Sequence, residues 1–172
     1  MSLVIRNAQG AVRIRRALLR HDVTRLRALA GAQRARLAVL CSSSATMRAL
    51  NRTYCGRDEV TDVLAFPYLQ IEELGKLPEL EHPEDCNLGD IFLGVEYIRD
   101  LGQNDNASHE CTSEHLHNLL TITTLHGICH LLGYTHENEA DWRQMFQKEK
   151  EILEDCGRLT GVFLSPLTAM KS

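Results

Sequence analysis

Three histidines stand in the segment His126-Gly-Ile-Cys-His130-Leu-Leu-Gly133-Tyr-Thr-His136. On a helix, residues four apart lie about 40° apart and one turn along the axis. His126 and His130 can therefore present two imidazoles to one metal ion. Gly133 can take a positive φ and turn the chain sharply, so His136 can swing back as a third ligand. Three nitrogens leave a fourth tetrahedral corner for water, as in catalytic rather than closed structural zinc sites. The chemistry this suits is metal-assisted hydrolysis. Zinc brings the pKa of a bound water toward ~7 and polarises a phosphoryl oxygen. Two histidines alone would be ordinary helix residues; the third, behind a glycine stop, favours one bound metal ion, with the open corner pointing to zinc and nickel or another imidazole-preferring metal left open.

The same spacing occurs in metzincin proteases, which need a glutamate directly after the first histidine as general base. Here that residue is Gly127, so a peptidase lacks its base. Gly127 is expected to open space beside the metal for a bulky phosphodiester. Arg52 and Arg57 are candidate phosphate contacts, against the plainer reading that each is solvated. Cys129 lies about 60° from His126 around a helix and is assigned to packing. Asp62 is either a partner that orients a ligand histidine or the mate of an arginine. His21, His82, His109, His115 and His117 are read as surface residues.

Several elements must position these groups. Ser2–Asn7, Arg36–Cys41, Thr61–Phe66 and Asp90–Gly94 read as strands, with Thr61–Phe66 buried. Helices are expected at Arg16–Ala30, from a Ser44 cap to about Gly56 with Met47, Leu50 and Tyr54 on one face, and near Val95–Leu101. A long helix from a Ser113 cap to about Leu132 carries the histidines. A last helix over about Glu139–Cys156 ends at Gly157, with Trp142 as anchor of its apolar stripe. Residues 70–88 and 103–112 read as loops. The fold class is therefore α+β: a small mixed sheet of about four strands covered by helices, with the three histidines on a central helix and the turn after it. Residues 1–165 form one domain, and 166–172 a mobile C-terminal tail.

The chain has 172 residues, 44% hydrophobic and 24% charged, a composition that excludes disordered and fibrous classes. No apolar run reaches 18 residues, so no transmembrane helix is expected, nor is a secretory signal visible. Six cysteines show no C-x-x-C spacing and read as free thiols. Residues 1–57 hold twelve arginines, no lysine and one acid, Asp22, a net +11. The other 115 residues carry seven basic and twenty-two acidic side chains, a net −15, so the whole stands at −4. A basic half of this kind is either a face that follows a phosphate backbone or a solvated surface. The Arg-rich, acid-poor start also has the composition of a mitochondrial import signal, although Ser2–Asn7 reads as part of the fold; the two readings are compatible.

Three stretches carry a family resemblance: Leu50–Pro67 (LNRTYCGRDEVTDVLAFP), Leu88–Leu93 (LGDIFL) and His126–His136 (HGICHLLGYTH). They resemble the YbeY family of endoribonucleases, also called rRNA maturation factors, and most closely its vertebrate members. The glycine after the first histidine makes the motif specific, and the likeness extends over most of residues 1–160. The resemblance implies an α+β fold, zinc on His126, His130 and His136, and cleavage of single-stranded RNA in ribosomal RNA maturation and ribosome quality control. It also implies work on the small ribosomal subunit, in mitochondria, with a nuclear or cytosolic pool still compatible. Cys55 stands where the family usually has arginine, Ala65 where it usually has serine, and Thr135 where many bacterial members have aspartate. A thiol cannot make a guanidinium's bidentate phosphate contact. The alternative is therefore a ribosome-assembly or RNA-binding factor with a structural metal and weak or lost nuclease activity.

If the N-terminal arginines follow RNA, a plot of log affinity against log salt has a slope of about −0.7 for each phosphate neutralised on a single strand. Titrating a labelled RNA at several salt concentrations checks this. A flat plot contradicts the basic-face reading.

Overall fold

A computed structural model describes residues 2–105 and 110–171. Four strands form one sheet: β1 (Leu3–Asn7), β2 (Arg36–Ser42), β3 (Val63–Pro67) and β4 (Asn87–Gly94). Their order is β1-β2-β4-β3. The first three in that order run parallel, and β3 lies antiparallel along the edge, with Val63 opposite Leu93 and Ala65 opposite Ile91. The mixed α+β sheet expected from the sequence is present. Two strands are shifted in extent. β4 begins at Asn87, and β3 begins at Val63 and is half-buried rather than buried.

Five α-helices accompany the sheet among the described residues: α1 (Arg16–Leu29), α2 (Ser44–Cys55), α3 (Val95–Asp105), α4 (Ser113–Leu131) and α5 (Glu139–Thr160). Caps explain where two of them start. Ser43, not Ser44, accepts the Thr46 N–H, and Thr112, not Ser113, accepts the His115 N–H. Each cap satisfies an otherwise orphaned helix donor.

α4 is the centre of the molecule. Nearly every residue from Leu116 to Cys129 is buried, as expected of a helix that is apolar all round. Its buried hydroxyls are satisfied locally: Thr121, Thr123 and Thr124 donate to the carbonyls four residues earlier at 2.6–2.8 Å. His117, expected at the surface, is instead buried. Its Nε2 lies 2.7 Å from Asp22 Oδ2 and ties α4 to α1, which compensates the loss of water at that nitrogen. His115 is half-buried, His21 and His82 are exposed, and His109 lies outside the described residues.

Gly127 also corrects an expectation. A Cβ there would sit 2.9–3.1 Å from three side-chain atoms of Ile91 on β4. The missing side chain lets the helix lie close on the sheet; it leaves no space for substrate. In α5, Gly157 does not end the helix. It is buried inside it with Phe163 packed against it, and the stop is Gly161 at φ 79°. Trp142 is only half-buried and stacks on Phe146 at 5.2 Å. The core residues of that helix are Met145, Ile152 and Leu153. Tyr54, placed on the inner face of α2 by spacing, is 67% exposed and meets Phe66 edge-on.

Described residues of the segment expected to be a mobile tail pack against the body. A 3-10 turn, Leu167–Met170, buries Leu167 and Thr168 against the body. Part of the basic half is also structural. Arg27 is buried and donates to Ala35 O at 2.9 Å, and Arg20 donates to Leu3 O at 2.6 Å.

Gly127→Ala should cost about 1–3 kcal/mol through overpacking against Ile91. Denaturant unfolding of Gly127→Ala, Ile91→Val and the double variant checks this. The account requires the double variant to lose less than the sum of the singles; strict additivity contradicts it.

Candidate metal centre

His126 is fully buried, while His130 and His136 are half-buried at the edge of a recess of about 410 Å³. Gly133 takes φ 97° and carries the chain from the end of α4 back over its last turn. That bend brings the third imidazole into place. One nitrogen from each of the three rings lies within 4.8 Å of the others. His126 Nε2 and His130 Nε2 are 3.1 Å apart.

The other ring nitrogens explain why those two face each other. His130 Nδ1 is 2.9 Å from the Tyr134 carbonyl, which can only accept, so Nδ1 carries the proton. His126 Nδ1 is 2.6 Å from Glu149 Oε1, so it too carries the proton. Both Nε2 lone pairs then point at one spot and repel unless a positive charge lies between them. A metal ion serves, and the third imidazole at the same spot suits one; a shared proton is disfavoured, because burial and the neighbouring imidazoles hold His130 neutral. Two nitrogens on a tetrahedral zinc, with bonds of ~2.0–2.1 Å, stand about 3.3 Å apart, close to what is seen. The donor set therefore fits an imidazole-binding cation.

Sequence reasoning missed Glu149. It is 1% exposed on α5 and receives His126 Nδ1–H on one oxygen and the Thr168 N–H, at 3.1 Å, on the other. Thr168 Oγ1 also lies 3.2 Å from His126 Nδ1. A buried carboxylate costs several kcal/mol unless it is paired and hydrogen-bonded, and here both oxygens are used. The signal was present in the chain: Glu149 sits four residues after Met145 and three before Ile152, on the apolar stripe.

Among the described residues, Asp62 pairs with neither a histidine nor an arginine. Its buried carboxylate meets Lys171 Nζ at 3.0 Å and accepts the Val63 N–H at 2.8 Å. Lys171 follows the 3-10 turn and lines the recess with Val63, Leu64, Ala65 and Thr135. Arg52 and Arg57 are exposed, 3.9 Å and 3.8 Å from Asp58 and Glu59, and outside the recess lining. Cys129 is buried beside the histidines, and burial followed by the charge of Glu149 holds its thiol protonated. That suits packing rather than ligation.

Burial pushes His130 down to about 3, and His126 and His136 push it the same way. His136 is lowered by burial first, then by His126 and Lys171. Neutral imidazoles are the form a metal requires.

The family profile described as Endoribonuclease YbeY matches residues 5–157. The chain is 47% identical over 169 residues to Endoribonuclease YbeY of Homo sapiens, covering 98% of this chain and 96% of that protein. It is 36% identical over 130 residues to the protein of that name from Desulfitobacterium hafniense, with 76% and 77% covered. For the Rhodococcus jostii protein of that name the identity is 35% over 121 residues, covering 70% of this chain and 63% of the relative. A solution structure of a Thermotoga maritima protein shares the fold at a TM-score of 0.52 and 20% identity, covering 92% and 94% of the two chains.

Two outcomes test this centre. Glu149→Ala should weaken metal affinity about 10–100-fold, measured by competition with a chelator; unchanged affinity contradicts the positioning role. In metal-stripped protein, His130 is protonated at about pH 6.5 when unfolded but only near 3 when folded. The unfolded state therefore binds more protons between those values, and stability falls as pH falls. Unfolding from pH 7 to 5 should show that loss, and His130→Gln should flatten it; equal slopes contradict the assignment.

Proposed function

The chain belongs to the YbeY family of endoribonucleases, and on that premise we propose that its three-histidine recess holds one zinc ion and cleaves single-stranded RNA. The process is ribosomal RNA maturation and ribosome quality control, on the small ribosomal subunit, in mitochondria. The observation that carries the chemistry is the pair of Nε2 atoms of His126 and His130 at 3.1 Å, with His136 beside them.

When bound, zinc supplies a Lewis acid that brings hydroxide within reach of neutral pH. The chain's own residues do the rest. Glu149 and the Tyr134 carbonyl hold the protons of His126 and His130 on Nδ1, which keeps each Nε2 free to ligate. Lys171, a third or less exposed at the recess wall, places a cation where a phosphate would lie. Arg48, Arg52 and Arg57 on and after α2 offer exposed charge for the strand beyond the recess. Gly127, filled against Ile91, confines access to the open side of the three rings.

Support for the mitochondrial setting comes from the Arg-rich start and from the resemblance to vertebrate members of the family. β1 and α1 are part of the packed body, so an import signal in that region would have to remain uncleaved.

Cys55 favours a second reading, in which the chain is an assembly factor with weak nuclease activity. It closes α2, exposed, where the family usually has an arginine. Cys55→Arg separates the two: a large gain in cleavage marks a weakened enzyme, and no gain with RNA binding intact favours the assembly role.

His136→Ala should lose bound zinc by elemental analysis and lose more than about a hundredfold in cleavage of a single-stranded RNA. Wild-type cleavage that resists both the substitution and a chelator contradicts the proposal.

A further inference from the structure

A second recess, of about 330 Å³, adjoins the first. Tyr97, Leu101 and Met170 stand around it, 38%, 41% and 54% exposed, with buried Leu119 and Thr123 behind them. Large apolar side chains left in water around a concave surface mark a binding place.

Three elements run from this recess into the histidine recess. On α4, Thr123 lies in the second and His126, one turn on, in the first. Ahead of and along β3, Thr61 and Asp62 lie in the second and Val63 to Ala65 in the first. In the C-terminal turn, Met170 lies in the second, and Lys171 lines both. Asp62 holds the lysine's ammonium at 3.0 Å, so a fixed ion pair, donor-rich on the lysine side, stands at the junction.

We infer that the second recess takes one unpaired nucleobase of the RNA strand whose phosphate lies at the histidines. This rests on the reading given under "Proposed function". The occupant follows from continuity and charge. A chain with a phosphate at the three histidines meets Lys171 next, and beyond it a slot walled by Tyr97, Leu101 and Met170, with Thr61, Asp62 and Thr123 at its polar side. The volume is at the small end for ligand pockets, suited to a single planar ring system. Stacking on a tyrosine is open to any base, because every base has a π-face. A base inside a duplex has both faces covered and cannot enter. The slot therefore accounts for a preference for single strands without reading sequence.

The test uses zinc-loaded full-length protein and a fluorescent single-stranded RNA octamer, with one abasic nucleotide placed at each position in turn. Binding is read by anisotropy, independently of cleavage. Wild type should lose about tenfold in affinity at one position, adjacent to the cleaved bond. Tyr97→Ala should bind the intact octamer about tenfold more weakly and no longer distinguish that position. Leu101→Trp, which fills the slot from an exposed position, should do the same, and thermal unfolding confirms that both variants fold. Equal binding at every abasic position, as expected if the recess receives a protein side chain, overturns the inference, as does discrimination that survives Tyr97→Ala. Cleavage without abasic discrimination removes this inference and leaves the nuclease standing. Discrimination without cleavage does the reverse.

Discussion

One buried hydrogen bond organises the active region: Glu149 Oε1 to His126 Nδ1, 2.6 Å long, with both residues shut off from water. An unpaired carboxylate there would be too costly to keep. The bond therefore demands that α4, α5 and the C-terminal turn arrive together, since Thr168 supplies the donor for the second oxygen. It also settles which nitrogen of His126 is free. Once Nδ1 is committed to Glu149, Nε2 must face His130, and the two lone pairs call for a cation. Fold stability and metal chemistry share one contact.

The centre is held rigidly because α4 is packed on every side. Ile91 occupies the place of a side chain at Gly127, so the helix lies close on β4. The Thr121, Thr123 and Thr124 hydroxyls beneath the histidines each return to a carbonyl of their own helix. Imidazoles built on such a helix need little adjustment to meet an ion. The place of His136 beside them depends on a different device, the positive φ of Gly133, which a larger residue would resist.

The clustering of the three histidines was legible because their spacing is a direct consequence of helix geometry and a glycine bend. The mixed sheet was legible from short apolar runs among turn residues. Glu149 was not, because it sits among the charges of Gln147-Lys-Glu-Lys-Glu151, where solvent exposure is the ordinary expectation. Only its place on the Met145–Ile152 stripe marks it as inward. The C-terminal turn was hidden for another reason. Pro166-Leu-Thr-Ala-Met170 has no periodicity, so neither the burial of Thr168 nor the Lys171–Asp62 pair could be foreseen. Gly127 and Gly157 were misjudged alike: each is a point of close approach, by Ile91 and Phe163, and nothing local to the chain reveals what lies opposite.

X-ray absorption at the zinc edge of the metal-loaded protein reads the centre itself. Three imidazole nitrogens and one further light atom are expected at ~2.0–2.1 Å, a shell that keeps its fourth member when Glu149 is replaced by glutamine. A sulfur at ~2.3 Å, or a shell that loses one ligand in Glu149→Gln, would contradict this expectation. The first would bring Cys129 into the site. The second would make Glu149 a ligand instead of the residue that aims His126.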